Sequence, residues 1–233
     1  MTRFLKRTLE TCTPHDGTVV VIDVLRAFST SAYAFAAGAR QVIPVAGVQE
    51  ALDLRRERFP SALVMGELDG RRIPEFDLGN SPWDVQQPDL RGRTLIQRTS
   101  AGTQGLARSA GAQTLLAASF VCARATARRL EQLQPQQVAF VITGKLEWRD
   151  GDEDDACADY IIALLADPST DPAPFLARVQ QSSAGRDFSR RTEENMPRDL
   201  ELCMQVNRFD FYQPVEPGGD GLLRMRAEPA PVL

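Results

Sequence analysis

Residues 19–23 have the sequence Val-Val-Val-Ile-Asp. Four consecutive β-branched residues predict a short strand that is buried on both faces and ends at Asp23. The run of small residues at 27–39 that follows contains Gly38 near its end, which predicts a helix closed by a glycine. A buried strand that leads directly into a helix is typical of the first unit of a parallel sheet.

The same alternation continues along most of the chain. Further strands are predicted at 41–45, 62–66, 94–98, 114–117 and 138–143, and helices at 48–59, 103–110, 120–132, 153–165 and 197–207. We therefore expect an α/β fold, a mainly parallel sheet with helices on both faces (an α/β/α sandwich). It would form one unit over 1–233, as a single body or as two closely packed lobes. The proline- and glycine-rich tail at 214–233 is expected to wrap the surface or to be poorly ordered.

The composition argues against several classes of protein. A net charge of −4 provides no basic field for nucleic acid. The sequence contains no apolar run of the roughly 20 residues that a membrane span needs. The four cysteines are far apart and His15 is the single histidine, so a zinc site is not expected and reduced thiols are. We expect a cytoplasmic protein with no nucleic-acid or membrane partner, and the sequence leaves a homodimer open.

A first polar cluster follows the strand at 19–23. Because ligands bind beyond the carboxyl ends of parallel strands, the Asp23 carboxylate is expected at a binding edge of the sheet. Arg26 can bind phosphate oxygens with two parallel hydrogen bonds. Ser29 and Thr30 lie at the start of the next helix, where free N–H groups favour an anion. In the structural alternative, Asp23 pairs with Arg26 and a hydroxyl group caps the helix.

A second cluster also combines an arginine with hydroxyl groups at a strand end. It consists of Arg98, Thr99, Ser100, Gly102 and Thr103. The glycine lets the backbone approach a ligand closely, and the hydroxyls offer hydrogen bonds to it. The alternative is an ordinary capped helix preceded by a glycine turn.

A long loop at 67–90 interrupts the alternation, and loops of this length in compact domains are usually functional or disordered. Glu67 follows directly on a strand, and Asp77, Asn80 and Ser81 lie further along. Carboxylate and amide oxygens are hard ligands that suit Mg²⁺. Alternatively, the aspartate and asparagine only shape turns.

An acidic run at 150–159 begins the helix predicted at 153–165. Asp155 and Asp159 are four residues apart and would repel each other on one helix face, which an apposed cation, metal or proton would relieve. In the structural alternative, Asp152 caps the helix and the acids of its first turn offset the helix dipole, which requires no function of Asp155. In the functional interpretation, Asp155 is a candidate acid or base. Cys157 is a weaker candidate nucleophile, because nothing adjacent in sequence would lower its pKa.

Taken together, these segments resemble the 2-phosphosulfolactate phosphatase family, the ComB-like proteins of coenzyme M biosynthesis. The residues that carry the resemblance are VVIDVLRAFST (20–30), the glycines and glutamate of GE-x-x-G (66–70), FDLGNSP (76–82), TSAGT (99–103) and Asp155-Ala-Cys157-Ala. The family usually has Thr-Thr-Asn-Gly-Thr where this chain has Thr-Ser-Ala-Gly-Thr, and Ala-Ser-Thr-Thr where it has Ala-Phe-Ser-Thr. These departures fall in the expected pocket.

The resemblance implies an α/β/α fold and Mg²⁺-dependent hydrolysis of a small phosphorylated acid, as in 2-phosphosulfolactate plus water to sulfolactate plus phosphate. It also supports combining the four clusters into one site. The expected metal ligands are Asp23, Glu67 and Asp77, and the expected catalytic residues are Asp23, Arg26, Asp155 and Cys157. The expected substrate contacts are Ser29, Thr30, Asn80, Ser81, Arg98, Thr99, Ser100, Gly102 and Thr103. A phosphatase for a different phosphoester and a non-catalytic anion-binding protein stay open, as does attack by water or by a side chain.

Overall fold

A computed structural model describes residues 2–13, 17–145, 147, 149–191 and 195–232, so His15 lies outside the described residues. The strands are β1 (Arg3–Thr8), β2 (Thr18–Ile22), β3 (Gln41–Val45), β4 (Leu63–Leu68), β5 (Arg71–Arg72), β6 (Thr94–Arg98), β7 (Thr114–Ala118), β8 (Gln137–Ile142), β9 (Phe211–Pro217), β10 (Leu223–Met225) and β11 (Glu228–Pro229). The helices are α1 (Ala27–Ala36), α2 (Val48–Glu57), α3 (Gly102–Arg108), α4 (Ala123–Leu133), α5 (Asp152–Ala166), α6 (Ala173–Gln181), α7 (Ser183–Arg190) and α8 (Met196–Cys203).

The strands form one hydrogen-bonded sheet in the order β1-β8-β2-β7-β9-β10-β3-β6-β4-β5, with β11 added to β9. The group β1, β8, β2 and β7 is parallel throughout, as is the group β3, β6 and β4. Between them, β9 and β10 make three antiparallel pairings in succession. The predicted mainly parallel α/β fold is confirmed, and the two parallel groups run in opposite directions along the sheet.

The valine-rich strand β2 is buried on both faces, as its sequence predicts. Val19 and Val21 pack in a core that α1 and α3 share, whereas Val20 and Ile22 pack in a second core with α4 and α5. Burying each of these side chains contributes about 1.5–3 kcal/mol. Helices therefore cover both faces of this strand, which is the layered arrangement expected.

Part of the tail at 214–233 lies inside the sheet rather than on its surface. Strand β9 pairs with β7 through Leu116 and Pro214, and β10 reaches β3 through Met225 and Val42. The glycines that suggested disorder instead form the turn between β9 and β10, where Gly221 donates its N–H to the Gly218 carbonyl. The glycines of this segment therefore belong to a tight turn between two strands and not to a poorly ordered tail.

No helix or strand was predicted between α5 and α8, but this region forms α6 and α7. These helices pack mainly on α5 and α8, and both are short and amphipathic. Across the described part of the chain, no helix combines the length and apolarity needed to cross a membrane.

Candidate active site

A cavity of about 530 Å³ opens where the ends of β2, β4 and β6 meet the loop after β8 and helix α7. Its polar wall includes Asp23, Arg26, Glu67, Asn80, Ser100 and Arg149. Its apolar wall includes Leu9, Leu25, Ala101, Phe188 and Met196. Residues from the first three predicted clusters therefore line one cavity.

Asp23 lies directly after β2 and is 6% exposed. Its Oδ1 accepts a hydrogen bond from the Ala27 N–H at 2.9 Å, which fixes the carboxylate at the start of α1. A Cβ atom at Gly102 would lie 2.7 Å from Asp23 Oδ2, so only glycine lets the start of α3 approach this closely. The first and second clusters thus meet across the two strand groups.

The surroundings of Asp23 favour its neutral form. Burial and the charges of Glu67 and Glu153 raise the pKa of Asp23 to about 6, against the opposing effects of the Ala27 hydrogen bond and the charge of Arg149. A buried carboxyl group with a raised pKa, in a cavity lined by several acids, is typical of a functional site.

Glu67 ends the buried part of β4 and joins the GE-x-x-G segment to the second cluster. Its Oε1 accepts from the Ser100 N–H at 2.5 Å, and its Oε2 accepts from the Gly70 N–H at 2.6 Å and from Ser100 Oγ at 3.2 Å. A Cβ atom at Gly66 would lie 1.8 Å from the Arg98 carbonyl oxygen. The glycine and the glutamate together lock the ends of β4 and β6.

Asn80 lines the cavity from the long loop. Its Oδ1 atom is buried and has no hydrogen-bond partner among the described residues. Since buried polar atoms are nearly always paired, an orphaned carbonyl oxygen in a cavity points to a ligand or an ion. The next residue, Ser81, is not in the cavity wall, because its hydroxyl donates to Asp199 Oδ1 at 2.7 Å.

Arg26 is fixed by a buried ion pair. Its Nη1 donates to Asp199 Oδ2 at 2.8 Å, and the two side chains are 3% and 0% exposed. Asp199 also accepts from the Trp83 N–H at 3.1 Å, so α8 ties the long loop to the residues after β2. The peptide bond between Leu25 and Arg26 is cis.

Several hydroxyls of the first two clusters serve the backbone rather than the cavity. Ser29 Oγ donates to the Val24 carbonyl at 2.8 Å. Thr30 is fully buried in α1, and its Oγ1 has no hydrogen-bond partner among the described residues. Thr103 Oγ1 accepts from the Thr99 N–H at 2.9 Å, and Thr99 Oγ1 accepts from the Thr103 N–H at 3.1 Å. The Thr99–Thr103 pair ties the first turn of α3 to the end of β6. Neither Ser29 nor Thr30 caps α1, and Arg26 pairs with Asp199 rather than with Asp23, so the structural alternative for the first cluster is wrong.

The guanidinium of Arg98 also lies outside the cavity wall. It donates to the Glu67 carbonyl at 2.8 Å and to Ser100 Oγ at 3.2 Å. Its role in the structure is therefore to hold the Glu67 turn.

The structure does not bring Asp77 into the cavity. Asp77 Oδ2 accepts from the Val64 N–H at 2.8 Å and from Arg55 Nη1 at 3.0 Å. Asp77 thus attaches the long loop to β4 and α2. Within the described residues, no three histidine, cysteine or acidic side chains form a ready metal-binding group.

The two candidates from the acidic run also lie away from the cavity. Asp155 pairs with Lys6 at 2.8 Å and with Arg178 at 2.8 Å. These cations relieve the repulsion between Asp155 and Asp159. Cys157 is fully buried, and burial raises the pKa of its thiol well above the ordinary value. Such a thiol is inert rather than nucleophilic.

Asp154 is the acidic residue that sequence reasoning missed. Its Oδ1 accepts from the Val24 N–H at 2.8 Å, and its Oδ2 accepts from the Gly144 N–H at 2.7 Å and Thr143 Oγ1 at 3.2 Å. It therefore joins the ends of β2 and β8. Helix phase could have identified it, because Asp154 shares the face of Cys157, Ala158 and Ile161, all buried.

Comparison with known proteins assigns the chain to a family. A family model described as 2-phosphosulpholactate phosphatase matches residues 4–215. A protein of Carboxydothermus hydrogenoformans named probable 2-phosphosulfolactate phosphatase is 36% identical over 206 residues, or 84% of each chain. One of Bacillus subtilis with the same name is 30% identical over 203 residues, which cover 86% of this chain and 88% of that protein. The chain belongs to the 2-phosphosulfolactate phosphatase family.

Proposed function

We propose that this protein is a Mg²⁺-dependent phosphatase that hydrolyses a small phosphorylated organic acid, with 2-phosphosulfolactate as the first substrate to test. The observation that carries the proposal is the cavity in which Asp23 and Glu67 lie with the orphaned oxygen of Asn80. The family names of the relatives support phosphomonoester hydrolysis. The acidic cavity supports the use of a cation.

The donors in the cavity fit Mg²⁺. This ion prefers hard oxygen ligands and usually takes one or two carboxylates, with water and substrate phosphate completing its shell. Asp23, Glu67 and Asn80 Oδ1 offer such atoms, and the unpaired state of Asn80 Oδ1 is explained if an ion meets it. In this proposal Asn80 replaces Asp77 as the third metal ligand. When bound, the ion would polarise the phosphoryl group and offset its developing charge.

The protein residues of the cavity have separate tasks in this proposal. Ser100 holds both oxygens of Glu67 in place, and Ala27 holds Asp23, so neither carboxylate needs to reorganise when substrate arrives. Leu25, Ala101 and Phe188 line the same space and would exclude water around the bound substrate. In such an environment, electrostatic interactions are stronger than in bulk water.

Release of inorganic phosphate from a panel of phosphorylated three-carbon acids, with Mg²⁺ or with EDTA, tests the proposal. We expect release from at least one acid in Mg²⁺ and loss of release in EDTA. Release only from another phosphoester would favour a related phosphatase. Binding without release would favour an anion-binding protein, and neither binding nor release of any compound would contradict the proposal.

A further inference from the structure

Arg149 lies in the loop between β8 and α5 and reaches the cavity wall. The start of this loop is fixed beside β2, since Thr143 Oγ1 donates to the Ile22 carbonyl at 2.9 Å. Its end folds back on its beginning, where a Cβ atom at Gly151 would lie 2.5 Å from the Lys145 nitrogen. Arg149 is therefore presented from a loop that is closed at its base.

A second anchor holds the residue that follows Arg149. Asp150 Oδ2 accepts from the Ser183 N–H at 3.1 Å, and Asp150 Oδ1 accepts from Ser183 Oγ at 3.0 Å. These bonds attach the loop to the first residue of α7, another wall of the cavity. The backbone that follows Arg149 is thus attached to α7.

The Arg149 side chain differs from the arginines that the sequence singled out. Arg26 is paired with Asp199, and Arg98 donates to the Glu67 carbonyl. By contrast, the guanidinium of Arg149 has no hydrogen bond or ion pair with any residue in the described part of the chain. A cavity-lining guanidinium that bonds to none of the described residues can offer its donors to a ligand.

The charges around Arg149 place it close to the proposed reaction centre. Its positive charge lowers the pKa of both Asp23 and Glu153, which are themselves buried. An anion that enters this cavity must overcome the repulsion of these acids, so it needs a cation within it. A planar guanidinium matches phosphate geometry with two parallel hydrogen bonds.

We propose that Arg149 is a catalytic residue that binds the phosphoryl group of the substrate and stabilises its charge during transfer. The proposal rests on the proposed phosphatase function and adds to it the residue that contacts the transferred group. Arg26 then acts as a fixed part of the cavity wall, held by its pair with Asp199.

The variant Arg149→Met tests this role, with Lys145→Met as its matched control. Lys145 is exposed, lies in the same loop and carries the same charge, but does not line the cavity. We expect Arg149→Met to lower kcat/KM for phosphate release by about 100-fold or more. It should also weaken inhibition by inorganic phosphate at least about tenfold, as expected when a charge-assisted pair is lost. Arg149→Lys should restore only part of the activity, because an ammonium cannot make the paired contact.

The outcomes separate this proposal from the proposed function. Equal losses in Arg149→Met and Lys145→Met, or unchanged kcat/KM and phosphate inhibition in Arg149→Met, would overturn the role of Arg149 while leaving the phosphatase intact. If the wild-type protein releases no phosphate from any substrate, calorimetric binding of inorganic phosphate still decides. Binding lost only in Arg149→Met supports the contact, and binding kept in that variant overturns it.

Discussion

The ionised form of Asp23 costs folding free energy. Its pKa is about 6 in the folded chain against an ordinary value of 3.8, because the carboxyl group is buried beside other acids. The folded state therefore binds more protons than the unfolded state between these values, and stability is lost as the pH rises from about 4 to about 6. Above that range the ionised group costs about 3 kcal/mol.

Replacement of Asp23 by asparagine should therefore stabilise the metal-free protein at neutral pH. The amide oxygen can still accept from the Ala27 N–H, while the buried charge is removed. We expect Asp23→Asn to raise the free energy of unfolding by up to about 3 kcal/mol above pH 7, with the difference vanishing near pH 4. Urea unfolding across this pH range measures it. A variant less stable at pH 8, or a difference independent of pH, would show that the charge carries no such cost.

Gly102 tests the close approach of α3 to Asp23. A methyl group there would lie 2.7 Å from both Ala27 Cβ and Asp23 Oδ2, so Gly102→Ala must shift the carboxylate or the start of α3. We expect a stability loss of about 1–3 kcal/mol and a loss of phosphate release far larger than in Gly219→Ala, whose site is open. Equal activity of the two variants would mean that this approach does not position Asp23.

Asp154 and Asp155 are neighbours on helix α5 but have different roles. Asp154→Ala removes the acceptor of two buried N–H groups, from Val24 and Gly144, and should cost about 2–3 kcal/mol of stability together with most of the activity. Asp155→Ala removes partly exposed ion pairs and should cost less than about 1 kcal/mol, with activity kept. Thermal unfolding and phosphate release measure both variants. The reverse order of effects would restore Asp155 as the functional acid.

Most elements were predictable because burial produces a characteristic spacing of apolar residues along the sequence. Strand β2 is buried on both faces, and α2 and α4 each have one apolar face. Strand β1 lacked such a signal, since its sequence Arg-Phe-Leu-Lys-Arg-Thr is charged as befits an edge strand. Helices α6 and α7 are amphipathic but short, with nine and eight residues, so the prolines and polar residues around them obscured the pattern.

Strands β9 and β10 connect the two parallel groups of strands into one sheet. A chain that ends at Phe209 would lose both strands and expose backbone groups of β7 and β3. We expect it to lack a cooperative unfolding transition and to aggregate. A chain that ends at Ala230 keeps β9 to β11 and should melt within a few degrees of the full chain. A cooperative, soluble protein ending at Phe209 would contradict this account of the sheet.

The sequence identified the segments of the site better than their mutual contacts. The rule that ligands bind at strand ends selected Asp23, Glu67 and the Ser100 turn, and all three line the cavity. Contacts between distant residues, such as Arg26 with Asp199, have no local pattern from which they could be read. For the same reason, Arg149 and Asp154 were missed, since their importance lies in what the fold places beside them.

We propose that phosphate is released from the substrate in the cavity that contains Asp23. The most direct test compares kcat/KM for phosphate release by wild-type protein and by Asp23→Asn, on the best substrate of the panel with Mg²⁺ present and with both proteins fully folded. We expect the variant to lose at least about 1000-fold, since a fixed carboxylate at the reacting centre is replaced by a neutral amide. A variant that retains wild-type kcat/KM would place the reaction elsewhere in the protein and contradict the account.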